Sequence, residues 1–320
     1  MQQMMRPVFN IWLFILVFTV LGACEKEPEF DPDAPLGIND SNFLNALIEQ
    51  GVDANGDSLI SSAEAEVIRE LYLYDNNISD LEGIEAFVNL ESLVCILNQL
   101  TALDLSGNTK LEDLNCGGNQ LTSLDISACT TLELFSCNDN QLTDLDISNL
   151  GLLQTLYCSG NQLTSLDLSH NTALETLWCS DNPLTGLDVS ANTALVEAGC
   201  MENQLSTLDV SANTALEILH AEDNQLTALD LTHNPLLEEI YLSENLLSSL
   251  DVSENKNLTV LECSENQLTG LDVSANTNLY DLYLKKMPSL YEVCVWKLPI
   301  PFYAYTFGSP NIYFTTECSR

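Results

Sequence analysis

The stretch LETLWCSDNPLTGLDVSAN, residues 174–192, decides how this chain folds. Its first apolar side chains are Leu174, Leu177, Cys179 and Leu184, and an asparagine stands at position 182. Near-copies precede and follow it, and the equivalent asparagines lie 21 residues apart at positions 98, 119, 140, 161, 182, 203, 224, 245 and 266. Asn76 begins the series one unit earlier, at a spacing of 22. A fixed period of this length predicts a solenoid, in which each unit is one coil that buries its apolar side chains only against neighbouring coils.

The first half of each unit resembles the leucine-rich-repeat signature L-x-x-L-x-L-x-x-N-x-L, with cysteine as the third apolar residue. This resemblance covers residues 71–286. It implies an α/β repeat solenoid, that is, a leucine-rich-repeat horseshoe whose coils form a parallel β-sheet. The second half of each unit, L-x-x-L-D-V-S-x-N, also resembles the signature. Either half-repeat is therefore a candidate for the concave sheet.

Seven units place a cysteine at the same phase, while Ala221 and Leu242 take that position in two others. The cysteines of this column are Cys95, Cys116, Cys137, Cys158, Cys179, Cys200 and Cys263. A 21-residue repeat with such a column resembles the internalin J-type repeats of bacterial surface proteins, which implies a solenoid displayed on a cell for adhesion. Side chains stacked about 4.8 Å apart are too distant for disulfides and form no tetrahedral cage for zinc. We therefore expect buried, reduced thiols.

Two polar columns accompany the apolar ones. The repeated asparagine is predicted to satisfy backbone groups at the turn of each coil. Nine units also carry an aspartate, from Asp104 to Asp272, followed two residues later by serine or threonine. This Asp-x-Ser pattern predicts turn and capping hydrogen bonds, and a row of weak Ca²⁺ sites is the alternative.

The first residues are typical of a targeting segment. Arg6 precedes an almost uncharged apolar run at residues 8–21, which is short for a transmembrane helix. The run ends in Leu-Gly-Ala-Cys, residues 21–24, which resembles a bacterial lipobox. This implies a lipoprotein signal peptide at residues 1–23 and lipidation of Cys24, with an ordinary secretory signal as the alternative. Residues 24–37, acidic and proline-containing, are predicted to be a tether, and they resemble the surface-export signals of Bacteroidetes lipoproteins.

Residues 38–70 are predicted to form a helical cap, with helices over residues 41–50 and 63–71. Between them, DANGDSLISSAE, residues 53–64, resembles an EF-hand loop. The resemblance implies one structural Ca²⁺ site with the ligands Asp53, Asn55, Asp57, Leu59 (through its carbonyl), Ser61 and Glu64. Ser58 replaces the usual glycine at loop position 6 and must adopt a left-handed or strained backbone. A turn that binds no cation is the alternative.

In the strand L-x-x-L-x-C, the residue before the cysteine position is predicted to project onto the concave sheet surface. Aromatic residues recur in this column and are predicted to bind a protein or glycan ligand. They are Tyr157, Trp178, His220, Tyr241 and Tyr283, with Gly199 leaving a gap after Trp178. Nearby glutamates point to a partner of basic or polar character. The alternative is that exposed aromatics only favour strand formation.

The period ends after Lys286, and the aromatic residues 287–320 are predicted to form a β-rich C-terminal cap over the open end of the solenoid. Within this tail, Cys294 and Cys318 are candidates for a disulfide, since the leader indicates an exported protein.

Composition and missing motifs narrow the function. Nine Lys plus Arg against 47 Asp plus Glu give a formal net charge of −38, which repels nucleic acid. The acidity either keeps the solenoid soluble or attracts Ca²⁺ or a basic partner. Three histidines lie on different repeats, with no nucleophile–base pair or phosphate loop, so no enzyme is expected. We expect a lipid-anchored surface protein of the bacterial cell envelope, on the outer membrane, that binds protein or glycan. The alternative is a structural envelope component with a Ca²⁺-stabilised cap.

Overall fold

The computed structural model describes residues 32–318, of which those from Asp33 onwards form one compact unit. The predicted signal peptide and Cys24 lie outside the described residues. The helices are α1 (Ser41–Glu49), α2 (Ser62–Ala65) and a 3₁₀ turn (Ile84–Ala86). Over residues 32–318, no helix is long and apolar enough to span a bilayer. The strands are β1 (Glu70–Tyr72), β2 (Ser92–Val94), β3 (Asp113–Asn115), β4 (Leu134–Ser136), β5 (Thr155–Tyr157), β6 (Thr176–Trp178), β7 (Glu197–Gly199), β8 (Ile218–His220), β9 (Glu239–Tyr241), β10 (Val260–Glu262), β11 (Gly270–Asp272), β12 (Asp281–Tyr283), β13 (Glu292–Cys294), β14 (Tyr303–Tyr305) and β15 (Tyr313–Thr315).

One parallel sheet of twelve strands runs through the described unit. It contains β1 to β10 in chain order, then β12 and β14. Each of these strands belongs to the first half-repeat, so the choice between the two halves is settled in favour of L-x-x-L-x-C. The second half-repeats form turns, joined by isolated bridges such as Asp104↔Asp125, until β11, β13 and β15 make a second, three-stranded sheet.

Each strand has three residues, and the middle one is buried in all the strands from β1 to β13. In β6 the middle residue, Leu177, points into the core, while Thr176 and Trp178 lie half-buried on the outer face. The same pattern recurs from strand to strand, and the buried leucines form one continuous core with those of the turns. Because a single coil cannot bury these side chains alone, the stacking of coils supplies the stability of the fold.

The cysteine column lies in this core, as predicted. All seven cysteines are buried and free, and the backbone N–H of each donates to a carbonyl of the next coil, for example Cys158 to Trp178 at 2.8 Å. Burial raises the pKa of the Cys116 and Cys158 thiols to about 12. The thiols therefore act as small apolar side chains.

The repeated asparagine joins neighbouring coils, which confirms its predicted structural role. The side-chain amide of Asn119 donates to the carbonyl of its own Cys116 and to that of Cys95 in the preceding coil, both at 3.0 Å. Its Oδ1 atom accepts from the N–H of Leu100 at 3.0 Å. Asparagines 140, 161, 182, 203, 224, 245 and 266 make the same bonds.

A second asparagine column, for which no role was predicted, hydrogen-bonds neighbouring coils to each other on the opposite side of the solenoid. Its members are Asn108, Asn171, Asn192, Asn213, Asn234, Asn255 and Asn276, all 0 % exposed. Asn192, for example, donates through Nδ2 to the carbonyls of Leu168 and Asn171 at 3.1 and 2.9 Å. Cys129 takes this position in one coil, where its Sγ lies 3.8 Å from the Asn108 carbonyl oxygen.

The aspartate column makes the predicted turns. In all nine units the Oδ1 atom accepts a hydrogen bond from the backbone N–H two residues later, as Asp188 does from Ser190 at 2.9 Å. Hydrogen bonds from the side chain and the backbone of Ser190 hold the pKa of Asp188 below its ordinary value, against the opposing effects of burial and of the neighbouring aspartates.

The N-terminal cap differs from its prediction in the second helix. Helix α1 follows the expected bounds and begins at the side chain of Asp40, which accepts from the N–H groups of Asn42 and Phe43. Helix α2 ends at Ala65 instead of continuing to Leu71. The helix stops because Glu70–Tyr72 pairs with Ser92–Val94 as the first strand of the sheet, and tertiary pairing overrides local helical propensity.

The C-terminal residues are β-rich, as predicted, and their strands continue the coils of the solenoid. Asp281 pairs with Tyr303 and Glu292 pairs with Tyr313, so the chain makes one further coil with a spacing of 22 and then 21 residues. Ser309 replaces the asparagine in this coil: its hydroxyl donates to the Leu284 carbonyl and accepts from the N–H of Met287. The aromatic strand β14 is therefore the last strand of the main sheet.

Candidate ligand-binding face

The third residue of each main strand forms one row across the outer face of the sheet. Strand register places Tyr157 beside Trp178, and His220 beside Tyr241. Tyr283 lies two strands beyond Tyr241, because Glu262 stands between them. All five predicted aromatic residues thus share one face, and each is half-buried.

The gap predicted at Gly199 is closed by the ring of Trp178. The indole lies across Gly199, so that a Cβ built on this glycine would come within 2.4 Å of the ring. The indole reaches the His220 ring, with centroids 5.0 Å apart, and His220 stacks on Tyr241 at 4.2 Å and 4° between planes. The glycine therefore joins the two aromatic pairs into one surface instead of separating them.

Glutamates hold the polar edge of each of these three rings. Trp178 donates through Nε1 to Glu197 at 2.8 Å, and Tyr241 donates through its hydroxyl to Glu239 at 2.7 Å. His220 Nδ1 lies 3.2 Å from Glu222 Oε1. Burial and the Glu239 hydrogen bond raise the pKa of Tyr241 well above its ordinary value. The rings are fixed at both face and edge, which gives a rigid surface.

A second aromatic group at the C-terminal end was missed in the prediction. Tyr283 stacks on Tyr305 with centroids 4.4 Å apart, and the Lys285 ammonium lies 4.9 Å from the Tyr283 ring centre. Tyr280 and Tyr303 meet edge-on beside them, both more than half exposed. The signal in the sequence was the tyrosine pair at 303 and 305, but its place on the sheet depended on the additional coil.

Comparison with known proteins identifies the family. A model of leucine-rich repeats, in two copies, matches residues 152–216. The solved functional domain of InlJ from Listeria monocytogenes, which includes a cysteine ladder, is 34 % identical and superposes with a TM-score of 0.80 over 88 % of this chain. This chain is a leucine-rich-repeat protein. Its 21-residue cysteine-column repeats are of the type in that internalin domain, of which the chain spans 63 % of the length.

Other relatives of this leucine-rich-repeat protein share the fold. A second Listeria monocytogenes internalin, inlF, is 21 % identical, with a TM-score of 0.64 over 90 % of this chain and 99 % of its own. A leucine-rich-repeat protein from Leptospira interrogans is 25 % identical, with a TM-score of 0.60 over 69 % of this chain and 67 % of its own. Among curated proteins, none is significantly similar in sequence to the chain.

The EF-hand-like loop of this leucine-rich-repeat chain is ordered by its own backbone. Asp53 accepts from the N–H groups of Gly56, Asp57 and Ser58. Gly56 and Ser58 have left-handed backbones, with φ of 77° and 66°, so the expected strain falls on Ser58. Asn55 and Asp57 in turn accept from backbone N–H groups two residues later.

Glu64 lies on the inner side of the same loop and is buried. Its Oε1 accepts from the N–H groups of Ala54 and Asn55, and its Oε2 accepts from the N–H and hydroxyl of Ser61. These hydrogen bonds, that of Ser61 above all, lower the pKa of Glu64. The oxygen donors fit Ca²⁺ in type and order, but both Glu64 oxygens face backbone groups, so bidentate ligation requires this side chain to rotate.

Cys294 and Cys318 form a disulfide that links strand β13 to the end of the described chain, with Cα atoms 5.4 Å apart. Asp272 on the adjoining strand lies beside them. Among residues 32–318 these three make the one group of His, Cys, Asp or Glu close enough to share a metal ion, and the disulfide removes both thiolates as ligands.

Proposed function

We propose that this leucine-rich-repeat chain is a non-enzymatic, lipid-anchored surface protein that binds a protein or glycan ligand through the outer face of its twelve-stranded sheet. The observation that carries the proposal is the fixed aromatic surface of Trp178, His220 and Tyr241. Pre-ordered aromatic rings offer a large contact area at low entropic cost, as binding hot spots do. Location on the outer membrane of a bacterial envelope completes the proposal.

The ligand-binding proposal is tested by screening the full chain on glycan and protein arrays. We expect binding that falls at least tenfold in Trp178→Ala and Tyr241→Ala, because each removes a hot-spot ring of about 2 kcal/mol. Tyr291→Ala is the control, since Tyr291 is an exposed aromatic residue that lies outside the aromatic row and precedes β13 of the second sheet. If neither the wild type nor the variants bind any array ligand, the result would instead support a structural envelope component.

The anchor is tested separately. Mass spectrometry of the N-terminal peptide from a bacterial host should show acylated Cys24 as the first residue, and Cys24→Ser should abolish the acylation. An unmodified peptide cleaved at another position would contradict the anchor and leave an ordinary secretory signal.

We also propose that residues 53–64 bind one Ca²⁺, which stabilises the N-terminal cap. Side-chain oxygens at loop positions 1, 3 and 5 and the left-handed backbone of Ser58 support this proposal. Glu64 would turn from Ala54 and Asn55 towards the cation. Calorimetric titration with Ca²⁺ should give saturable heat and a higher melting temperature, both lost in Asp53→Ala and retained in the exposed control Asp144→Ala. Absent heat and an unchanged melting temperature would contradict the proposal.

A further inference from the structure

The aromatic–glutamate cluster consists of the rings of Trp178, His220 and Tyr241 with the carboxylates of Glu197, Glu222 and Glu239. The Trp178 N–H and the Tyr241 hydroxyl each already donate to a glutamate. His220 Nδ1 lies 3.2 Å from Glu222 Oε1, so a glutamate already engages the polar edge of each of the three rings.

What the cluster still offers a ligand is negative charge and π-electron density. Trp178 and Tyr241 flank His220 on its two sides, and each glutamate contacts its ring through one of its two oxygens. Glu222 Oε2 is shielded from solvent and has no hydrogen-bond partner in residues 32–318. A surface that combines ring faces with carboxylates attracts cations, and a guanidinium group matches it best because it stacks on a ring while donating to a carboxylate.

The same face of the sheet already shows one aromatic pair with a cation. At the C-terminal end, Lys285 lies over the stacked rings of Tyr283 and Tyr305, 4.9 and 6.0 Å from their centres. Within residues 32–318, by contrast, no ion pair or cation–π contact joins a lysine or arginine to the aromatic–glutamate cluster. The stacked pair of His220 and Tyr241 therefore repeats this arrangement without a cation of its own.

The geometry points to an arginine side chain, presented by a basic protein segment, as the group that the aromatic–glutamate cluster binds. This inference rests on the proposed function and specifies its partner: a protein that carries exposed arginine, rather than a glycan. The general negative charge of the chain speeds the encounter, while the cluster supplies the specific contact.

Gly199 provides a test that changes no charge and removes no side chain. Gly199→Ala places a Cβ 2.4 Å from the Trp178 ring and must displace the indole from His220. Its matched control is Gly186→Ala, because a Cβ at Gly186 meets no atom within 4 Å. Neither glycine has a left-handed backbone, so alanine is otherwise acceptable at both positions.

The probe is a Gly-Arg repeat peptide, compared with the same peptide carrying citrulline, which keeps the shape but not the charge. Both are titrated in physiological salt into the full chain with Trp12→Phe and Trp296→Phe, which leaves Trp178 as the one tryptophan of three. We expect a saturable change in Trp178 fluorescence with the arginine peptide. Affinity should fall about tenfold in Gly199→Ala and in Glu222→Gln. It should be unchanged in Gly186→Ala and in Asp144→Asn, which removes an equal charge from an exposed site remote from the cluster.

Three results would overturn the inference. Equal binding of the citrulline peptide would exclude recognition of the cation. Equal affinity in Gly199→Ala and wild type, with equal melting temperatures, would show attraction by the general field alone. If an array ligand needs Trp178 but is a neutral glycan, the cluster does not select arginine. The proposed function, ligand binding through this face, would then still hold. An array without ligands would refute the proposed function, while the peptide titration would still decide whether the cluster binds arginine.

Discussion

Asn182 and Cys158 lie in successive coils, and the asparagine side-chain amide donates to the cysteine carbonyl at 3.1 Å. The same amide donates to the carbonyls of Cys179 and Ser180 in its own coil, while its Oδ1 accepts from the N–H of Leu163. One side chain therefore satisfies buried backbone groups of two coils, which explains why asparagine recurs at this phase.

Asn182→Ala should lower the free energy of unfolding by about 2–4 kcal/mol, since it leaves several buried backbone groups without partners. Urea unfolding of the full chain measures this change. Asn278→Ala is the control, because Asn278 is exposed and donates only one 3.3 Å bond, to the Lys256 carbonyl. Equal destabilisation by the two variants would contradict the role of the asparagine column.

The features that sequence could predict are those that every coil repeats. Leucine, cysteine and asparagine positions follow from one packing solution applied many times, and the predicted strand phase and buried thiols are confirmed. The ends of the solenoid broke the pattern. Residues 66–71 were predicted to be helical because local propensity favours a helix there. Pairing with Ser92–Val94 instead makes Glu70–Tyr72 a strand. The last coil was missed because Ser309 replaces its asparagine and its spacing lengthens to 22.

The candidate site was predictable in position but not in arrangement. The period alone placed Trp178, His220 and Tyr241 in one row, as found. The direction of the Trp178 ring depends on the space above Gly199, which a pattern of residue types does not report. A glycine among outward-facing strand residues was the available signal, since it marks a close approach by another group.

The buried thiols should make the protein sensitive to alkali. Burial raises the Cys158 pKa from 9.0 to about 12, so above pH 9 the unfolded chain loses this proton while the folded chain keeps it. Stability is therefore full below pH 9 and falls as the pH rises towards 12. By pH 10 each such thiol costs about 1.4 kcal/mol.

Urea unfolding under reducing conditions at pH 7 and pH 10 measures this loss. Cys158→Ala should be less stable than wild type at pH 7 but should lose about 1.4 kcal/mol less between the two pH values. Ala221 already occupies the same phase in another coil, so alanine is compatible with the packing. Equal losses in variant and wild type would show that this thiol ionises as easily in the folded chain as in the unfolded one.

Glu64 should make the N-terminal cap sensitive to acid. Its hydrogen bonds lower its pKa below the ordinary 4.5, so the stability it contributes is present above pH 4.5 and is lost as the pH falls through the lower, folded pKa. Glu64→Gln should cost about 1–3 kcal/mol at pH 7, because it removes charge-assisted bonds to Ala54, Asn55 and Ser61, and should cost less at pH 3. Unfolding at both pH values in Ca²⁺-free buffer tests this, with exposed Glu112→Gln as control. A cost independent of pH would contradict the assignment.

Removal of the Cys294–Cys318 disulfide should loosen the C-terminal coils and leave the central ones intact. A cross-link over 24 residues contributes about 3 kcal/mol by restricting the unfolded chain. Since each coil contacts only its neighbours, the loss should stay local. Hydrogen exchange of Cys318→Ser should therefore accelerate in β13 and β15 and stay unchanged in β5 to β8, and wild type treated with reductant should behave in the same way. Uniform acceleration along the whole solenoid would show instead that the coils unfold as one cooperative unit, and unchanged exchange in β15 would show that the disulfide does not hold that strand.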